Sequence, residues 1–236
     1  MALELLRFGN LSDTTHFVST RGGGFGQDPY ASLNLGLHVG DDPDTVLKNR
    51  DVLGAAAGID ASRFAIPRQV HGANVVAVAE PEEGTEADAI ITDRSGILLM
   101  VLVADCVPVL LHDPKRHAVA AIHAGWKGTA AGVVREAVRA MQERYGTDPA
   151  DLVAGIGPSI GPCHSEVGAE VREQFPDFTI GDAIDVRAAN VAQLRAAGVS
   201  EAHIESMDSC TFEDARFFSA RRDGTTGRFG AGIALA

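Results

Sequence analysis

The amino-acid sequence predicts an α/β fold, a layered sandwich forming one domain over residues 1–236, with a central mixed β-sheet or sheets flanked by helices. Three observations predict it. Short, uniformly apolar runs such as Ile97 to Val103, Ala118 to Ile122 and Leu152 to Ile156 read as strands buried on both faces. Between such runs lie segments with helical spacing of apolar residues, so strands and helices alternate. The chain has 236 residues, 45% of them hydrophobic, which is enough for a sizeable core, and no Pro/Gly/Ser-rich linker divides it.

In chain order, His16 to Ser19 reads as a short strand. Arg21 and a glycine cluster (Gly22 to Gly24 and Gly26) follow it. The cluster lacks the Lys-Ser/Thr of a phosphate-binding loop and opens no helix, so it is expected to be a loop set by the turn preferences of glycine. At Asp42-Pro43 a helix should begin, with Asp as its N-cap and Pro in its first turn, and run toward Gly58. Pro67 to Gly72 reads as a strand end and turn that leads into an extended segment, Asn74 to Ala79. The centre is Ala87 to Thr129, where Cys106 follows one apolar run and His123 follows another. Polar groups at the ends of buried strands commonly line the ligand crevice of α/β folds, so the chemistry is expected there.

Gly128 to Tyr145 carries Ala130, Val133, Val134, Ala137, Val138 and Met141 at amphipathic spacing, predicting a helix that ends at Gly146. Because it follows a buried strand, it should open a crossover unit. Gly155 to Gly168 misses the spacing of a dinucleotide fingerprint and reads instead as a substrate-facing loop. A helix over Arg187 to Ala197, a turn at Gly198 and a final block from Ser209 to Arg228 complete the chain.

A formal net charge of −12 works against a polyanionic partner, so a small molecule rather than nucleic acid is expected. The longest apolar run, Ile97 to Leu111, is interrupted by Asp105 and falls short of a membrane span, and the first ten residues lack a secretory pattern. A cytoplasmic protein is therefore expected. Its cysteines, at 106, 163 and 210, are odd in number and form no CxxC pair, which favours a ligand or reactive thiol over a disulfide framework.

The candidate constellation is His71, Cys106 and His123, with His112, His117, Cys163 and His164 in reserve. Two imidazoles and one thiolate leave a fourth position open, as in catalytic zinc sites. The same set suits a blue-copper ion, so Cu²⁺ is compatible. The alternative is a buried cysteine with two hydrogen-bonded histidines.

Gln69-Val70-His71-Gly72, Ala104 to Val109, His123 to Gly128, Gly157 to Cys163 and Phe218 to Gly224 resemble, in order, the motifs of the laccase-domain family of multicopper polyphenol oxidoreductase-like proteins. The likeness extends from Thr20-Arg21-Gly22-Gly23 and Ser32-Leu33-Asn34-Leu35-Gly36 to Gly227-Arg228. Members are described as purine nucleoside phosphorylases with adenosine deaminase activity, and bacterial relatives also carry the name peptidoglycan-editing factor. The resemblance implies zinc ligands at His71, Cys106 and His123, with nucleoside (adenosine, inosine, methylthioadenosine) and phosphate as substrates. His164 and Ser165 depart from the family pattern of a second cysteine and a tyrosine, and Lys127 stands where arginine often follows the tryptophan.

Phosphorolysis needs an anion clamp, for which Arg21, Arg221, Arg222 and Arg228 supply planar guanidinium groups. Asn34, inside one of the shared motifs, joins them as a substrate-binding expectation. Deamination would use zinc-activated water, with Asp105 as a proton carrier or as a residue orienting a ligand. Two other readings stand beside this one. In the first, Cys106 is the nucleophile and His123 its base in a hydrolase acting on an amide of a peptidoglycan precursor. In the second, the chain is a binding protein in which zinc is structural, with His112, Cys163 or His164 closing the site as a fourth ligand; a copper-binding polyphenol oxidase is a further alternative, although eight histidines are few for full multicopper chemistry.

Overall fold

A computed structural model describes residues 2–236. The first half of the chain forms β1 (Leu5–Leu6), β2 (Thr14–Ser19), α1 (Pro43–Ala57), β3 (Phe64–Arg68), β4 (Val75–Ala77), β5 (Glu83–Glu86), β6 (Ala89–Thr92), β7 (Leu98–Val103) and β8 (Val107–Asp113). Next come β9 (Ala118–Ala124), α2 (Trp126–Ala131), α3 (Val133–Tyr145), β10 (Val153–Ile156), α4 (Ala169–Arg172), β11 (Thr179–Ile180) and β12 (Ala183–Ile184). The chain closes with α5 (Val186–Ala196), β13 (Ile204–Ser206), α6 (Ala220–Asp223) and β14 (Phe229–Leu235).

Two six-stranded mixed sheets result, in the orders β1-β2-β14-β7-β3-β5 and β13-β10-β8-β9-β6-β4. The alternation of β7 explains its unbroken apolar sequence. Leu99, Val101 and Val103 pack between the sheets with Ile90, Leu110, Val119 and Ala121. Leu98, Met100 and Leu102 point the other way, into a layer with Phe17, Leu35 and Leu53 of α1. On the far side, Val109, Leu111, Ala120 and Ile122 meet Val134, Ala137, Val138 and Met141 of α3 and Leu194 of α5. The expected sandwich of mixed sheets between helices is thus observed. No helix among the described residues is long and apolar enough to cross a membrane.

The predicted helix at Asp42 is present: the Asp42 side chain accepts from Thr45 N–H, and Gly58 closes the helix in the left-handed region. Three readings need correction. The apolar run Ile97 to Leu111 is two strands, because the chain leaves the first sheet after Val103, turns through Ala104-Asp105-Cys106 and enters the second sheet at Val107. The strand expected to stop at Ile122 continues to Ala124, so His123 lies within it. The helix expected from Gly128 is two helices, since Gly132 takes φ 83° and its N–H caps α2 on Gly128 and Thr129 carbonyls. The expected crossover is present, as α2 and α3 carry the chain from β9 to the parallel β10 across β8.

Candidate active site

The site begins where β3 leaves its neighbour. Beyond Arg68 the Gln69 side chain continues the pairing with β7, donating to Leu102 O and accepting from Leu102 N–H, each at 2.8 Å. The next three residues wrap a buried carboxylate. Asp88, at the edge of β6, accepts from His71 N–H at 2.9 Å on Oδ1 and from Gly72 N–H at 2.6 Å and Val70 N–H at 3.3 Å on Oδ2. His71 reaches this turn with φ 60°, a conformation rare for a side chain that is not glycine and here fixed by its neighbours' amides.

The same carboxylate orients the second histidine. His123 alternates with Val119 and Ala121 and so faces the space between the sheets, where its Nδ1–H donates to Asp88 Oδ1 at 2.8 Å. That bond leaves Nε2 for Cys106. His71 meets His123 edge to face, with ring centroids 4.8 Å apart. Cys106 sits in the turn between the sheets. The preceding Asp105 has φ 91° and is tied by Thr211 Oγ1–H at 2.6 Å and Arg221 N–H at 2.7 Å, one to each carboxylate oxygen. Asp105 therefore fixes the loop that presents the thiol.

Burial alone would push the Cys106 thiol up, but the charge and hydrogen bond of His123, joined by His71, bring it down to about 6. Burial would likewise lower His123, yet the Cys106 thiolate and the Asp88 carboxylate raise it to about 9. Burial disfavours ionised Asp88 as well, and hydrogen bonds from His123 and the Gly72 amide outweigh it, so this carboxyl lies below its usual range. A thiol lowered in this way ionises more readily, as metal ligation requires.

One donor atom from each of His71, Cys106 and His123 lies within 4.8 Å of the others. Tetrahedral zinc with bonds of roughly 2.0–2.3 Å spaces its ligands about 3.3–3.8 Å apart, so a small inward movement suffices. Gly125 supplies the clearance: a Cβ there would lie 3.0 Å from both Cys106 Sγ and His71 Cδ2. The donor set and its carboxylate-backed histidine fit a metal ion. Neither His112, buried in β8, nor Cys163 or His164 belongs to this group, which among the described residues has three members.

The trio opens on a cavity of about 850 Å³, within the roughly 300–1,000 Å³ of small-molecule sites. Of the arginines expected to bind substrate, Arg221 and Arg228 line it. Among the described residues the Arg228 side chain hydrogen-bonds only through Nη1, to Thr226 and Gly227 carbonyls; burial lowers its pKa, opposed by the nearby Cys106 and Asp105. The others stand outside the lining. Arg222 donates to Thr211, Phe212 and Phe217 carbonyls and to Asp223. Arg21 donates to Ala31 O and lies over the Phe218 ring. Asn34 is fully buried and bridges Gly36, Asp41 and the Arg228 amide. Sequence reasoning missed His38, which also lines the cavity, and above all Asp88. The signal for Asp88 was a charged residue inside the apolar Ala87-Asp88-Ala89-Ile90-Ile91, since a buried carboxylate must be paired.

A family model described as multi-copper polyphenol oxidoreductase laccase matches residues 15–236. The chain belongs to this family. Within it, Purine nucleoside phosphorylase YlmD of Geobacillus stearothermophilus is 39% identical over 236 residues, covering 89% of this chain and 86% of its own. Purine nucleoside phosphorylase SCO2081 of Streptomyces coelicolor is 44% identical over 226 residues, covering 90% and 92% respectively. Two solved structures of similar proteins each superpose on 100% of this chain and 97% of their own: the hypothetical protein YfiH of Bacillus licheniformis, with a TM-score of 0.94 at 32% identity, and YlmD of Geobacillus stearothermophilus, with 0.93 at 35%. In this laccase-like chain, the described residues bring together just two groups able to hold a metal: the trio, and Cys163 with His164 and Cys210.

Proposed function

We propose that this laccase-like protein is a purine nucleoside phosphorylase acting on inosine, adenosine and methylthioadenosine, with zinc held by His71, Cys106 and His123 and an accompanying adenosine deaminase activity. One observation carries the reading: a trio able to hold a metal shares one largely apolar cavity with Arg68, Arg221 and Arg228. The names of the similar proteins support it.

In the phosphorolytic step, a phosphate oxygen attacks C1′ of the ribose, the glycosidic C–N bond breaks and the purine leaves with its electron pair. Arg221 and Arg228 hold the phosphate, since guanidinium forks match its oxygens and the partly dry cavity strengthens the attraction. Leu102, Val103, Trp126 and Ile160 wall the cavity, take the purine face and exclude water. Asp88 fixes the tautomer of His123, and Asp105, which lines the cavity with both carboxylate oxygens already accepting hydrogen bonds, positions Cys106. Zinc at the trio supplies, when bound, Lewis-acid polarisation and a lowered pKa of water, the chemistry that deamination at C6 of adenine requires.

The lowered Cys106 thiol beside the raised His123 imidazole, with Asp88 behind that imidazole, favours one second reading, a cysteine hydrolase acting on a peptidoglycan amide. A nucleophile needs no second imidazole on its sulfur, and His71 converges there. Inosine consumption that depends on phosphate and yields ribose 1-phosphate is the expected result; equal rates without phosphate would refute phosphorolysis. Cys106→Asp separates the readings, because zinc accepts carboxylate oxygen. Retained zinc with measurable turnover supports the metal, whereas a chelator-stripped wild type at full activity supports the nucleophile.

A further inference from the structure

We infer that Cys163, His164 and Cys210 form a second metal site, a zinc site of structural type that fastens the active-site loops. Cys163 and His164 lie in the loop after β10, and Cys210 in the segment after β13, which run side by side through a parallel bridge of Ser159 to Cys210. One donor atom from each of the three lies within 4.8 Å of the others. The two sulfurs are 3.5 Å apart, inside the roughly 3.3–3.8 Å ligand spacing of tetrahedral zinc and far from the roughly 2.05 Å of a disulfide.

Three further features point to a ligand. His164 Nδ1 is buried without a hydrogen-bond partner. The His164 ring is held in place by stacking on Phe212, with centroids 4.0 Å apart. Gly161 leaves room beside the sulfurs, because a Cβ there would meet Cys163 Sγ at 3.2 Å and Cys210 Sγ at 3.6 Å, as Gly125 leaves room at the first trio. Glu213 stands outside the three-residue group, and its exposed side chain, with Oε1 3.8 Å from His164 Nδ1, would close to supply the fourth ligand. Two thiolates, an imidazole and a carboxylate make a four-ligand site with no open position, which holds structure rather than reacting. Binding would release the two thiol protons to solvent.

The consequence reaches the first site. His164 O accepts from Arg221 Nη1 at 3.0 Å, and Thr211, next to Cys210, donates to Asp105. Ile160 N–H donates to Asp105 O at 2.9 Å. An ion at the second site therefore clamps the two segments that hold Asp105 and Arg221.

The test is metal stoichiometry on the full-length protein, saturated with Zn²⁺ and desalted, together with a Co²⁺ titration read by thiolate-to-cobalt charge-transfer absorption. Wild type should retain two zinc ions per chain, Cys210→Ser and His71→Ala one each, and the double variant none. The Co²⁺ signal of wild type should saturate at two equivalents, a result that needs no variant to fold. Saturation at one equivalent, a zinc count unchanged by Cys210→Ser, or a Cys163–Cys210 disulfide in the purified protein would each overturn the assignment. A failure of phosphorolysis would leave these counts untouched.

Discussion

Replacing Asp88 with asparagine preserves the shape of the side chain and removes the one charge that both histidine segments share. If the amide oxygen keeps the Oδ1 position, it still accepts from His123 Nδ1 and His71 N–H. The amide NH₂ then faces Gly72 N–H, at 2.6 Å from the present oxygen, and Val70 N–H, so donors oppose donors in a site with no water access. Hydrogen bonds to a charged acceptor contribute about 1.5–3 kcal/mol each, so losing the short bond and the longer one costs about 3 kcal/mol. For a chain of this size that corresponds to a fall in Tm of roughly 6–12 °C. Loss of a carboxylate behind a metal-ligating histidine typically weakens the metal roughly 10–100-fold. Thermal melting of the metal-free protein and a zinc competition titration read the two effects separately. Asp88→Asn that melts with wild type and binds zinc equally well would refute the idea that this carboxylate builds the site.

Gly125 has φ −72°, so Gly125→Ala adds no backbone strain, but its Cβ crowds Cys106 and His71. Overpacking of about 1–3 kcal/mol should appear as a fall of roughly 2–12 °C in the metal-free melt, and chelator competition should show weaker metal because ligation draws the trio closer to the added methyl. Arg228→Gln should raise the apparent KM for phosphate more than that for nucleoside in initial-rate assays. Arg222→Ala should instead lower Tm, because it strips hydrogen bonds from the Thr211, Phe212 and Phe217 carbonyls. His16 is lowered by burial while its Nε2 accepts from Phe8 N–H, so the folded state binds its proton less readily than the unfolded one. Its contribution is present above pH 6.5 and is lost as pH falls below it; in urea unfolding from pH 7 to 5, His16→Gln should flatten this loss.

The grouping of His71, Cys106 and His123 was legible in the sequence because two imidazoles and a thiol are chemically conspicuous, and the structure brings one donor atom from each together. What surrounds it was not. Asp88 acts on the backbone amides of Val70, His71 and Gly72, and no periodicity announces an acceptor for amides in another segment. Which arginine faces the cavity depends on loop packing: Arg221 and Arg222 are neighbours, yet the first lines the cavity and the second grips carbonyls in the opposite direction. The break between β7 and β8 was visible as Asp105 inside an apolar run, but only the sheet order shows that it carries the chain from one sheet to the other.

That passage between sheets gives the metal a mechanical part to play. His71 leaves β3 of one sheet, His123 belongs to β9 of the other, and Cys106 sits on the strap that joins them. On the proposed function, an ion shared by the three would work as a rivet across the seam. It can seat only after both sheets have docked, so during refolding zinc capture should lag behind the gain of strand and helix signal. Once seated at a free concentration 1,000 times its Kd, it adds about 4 kcal/mol to the folded state. If the proposed zinc is the ion bound there, a cell short of it would be left with less of the folded protein.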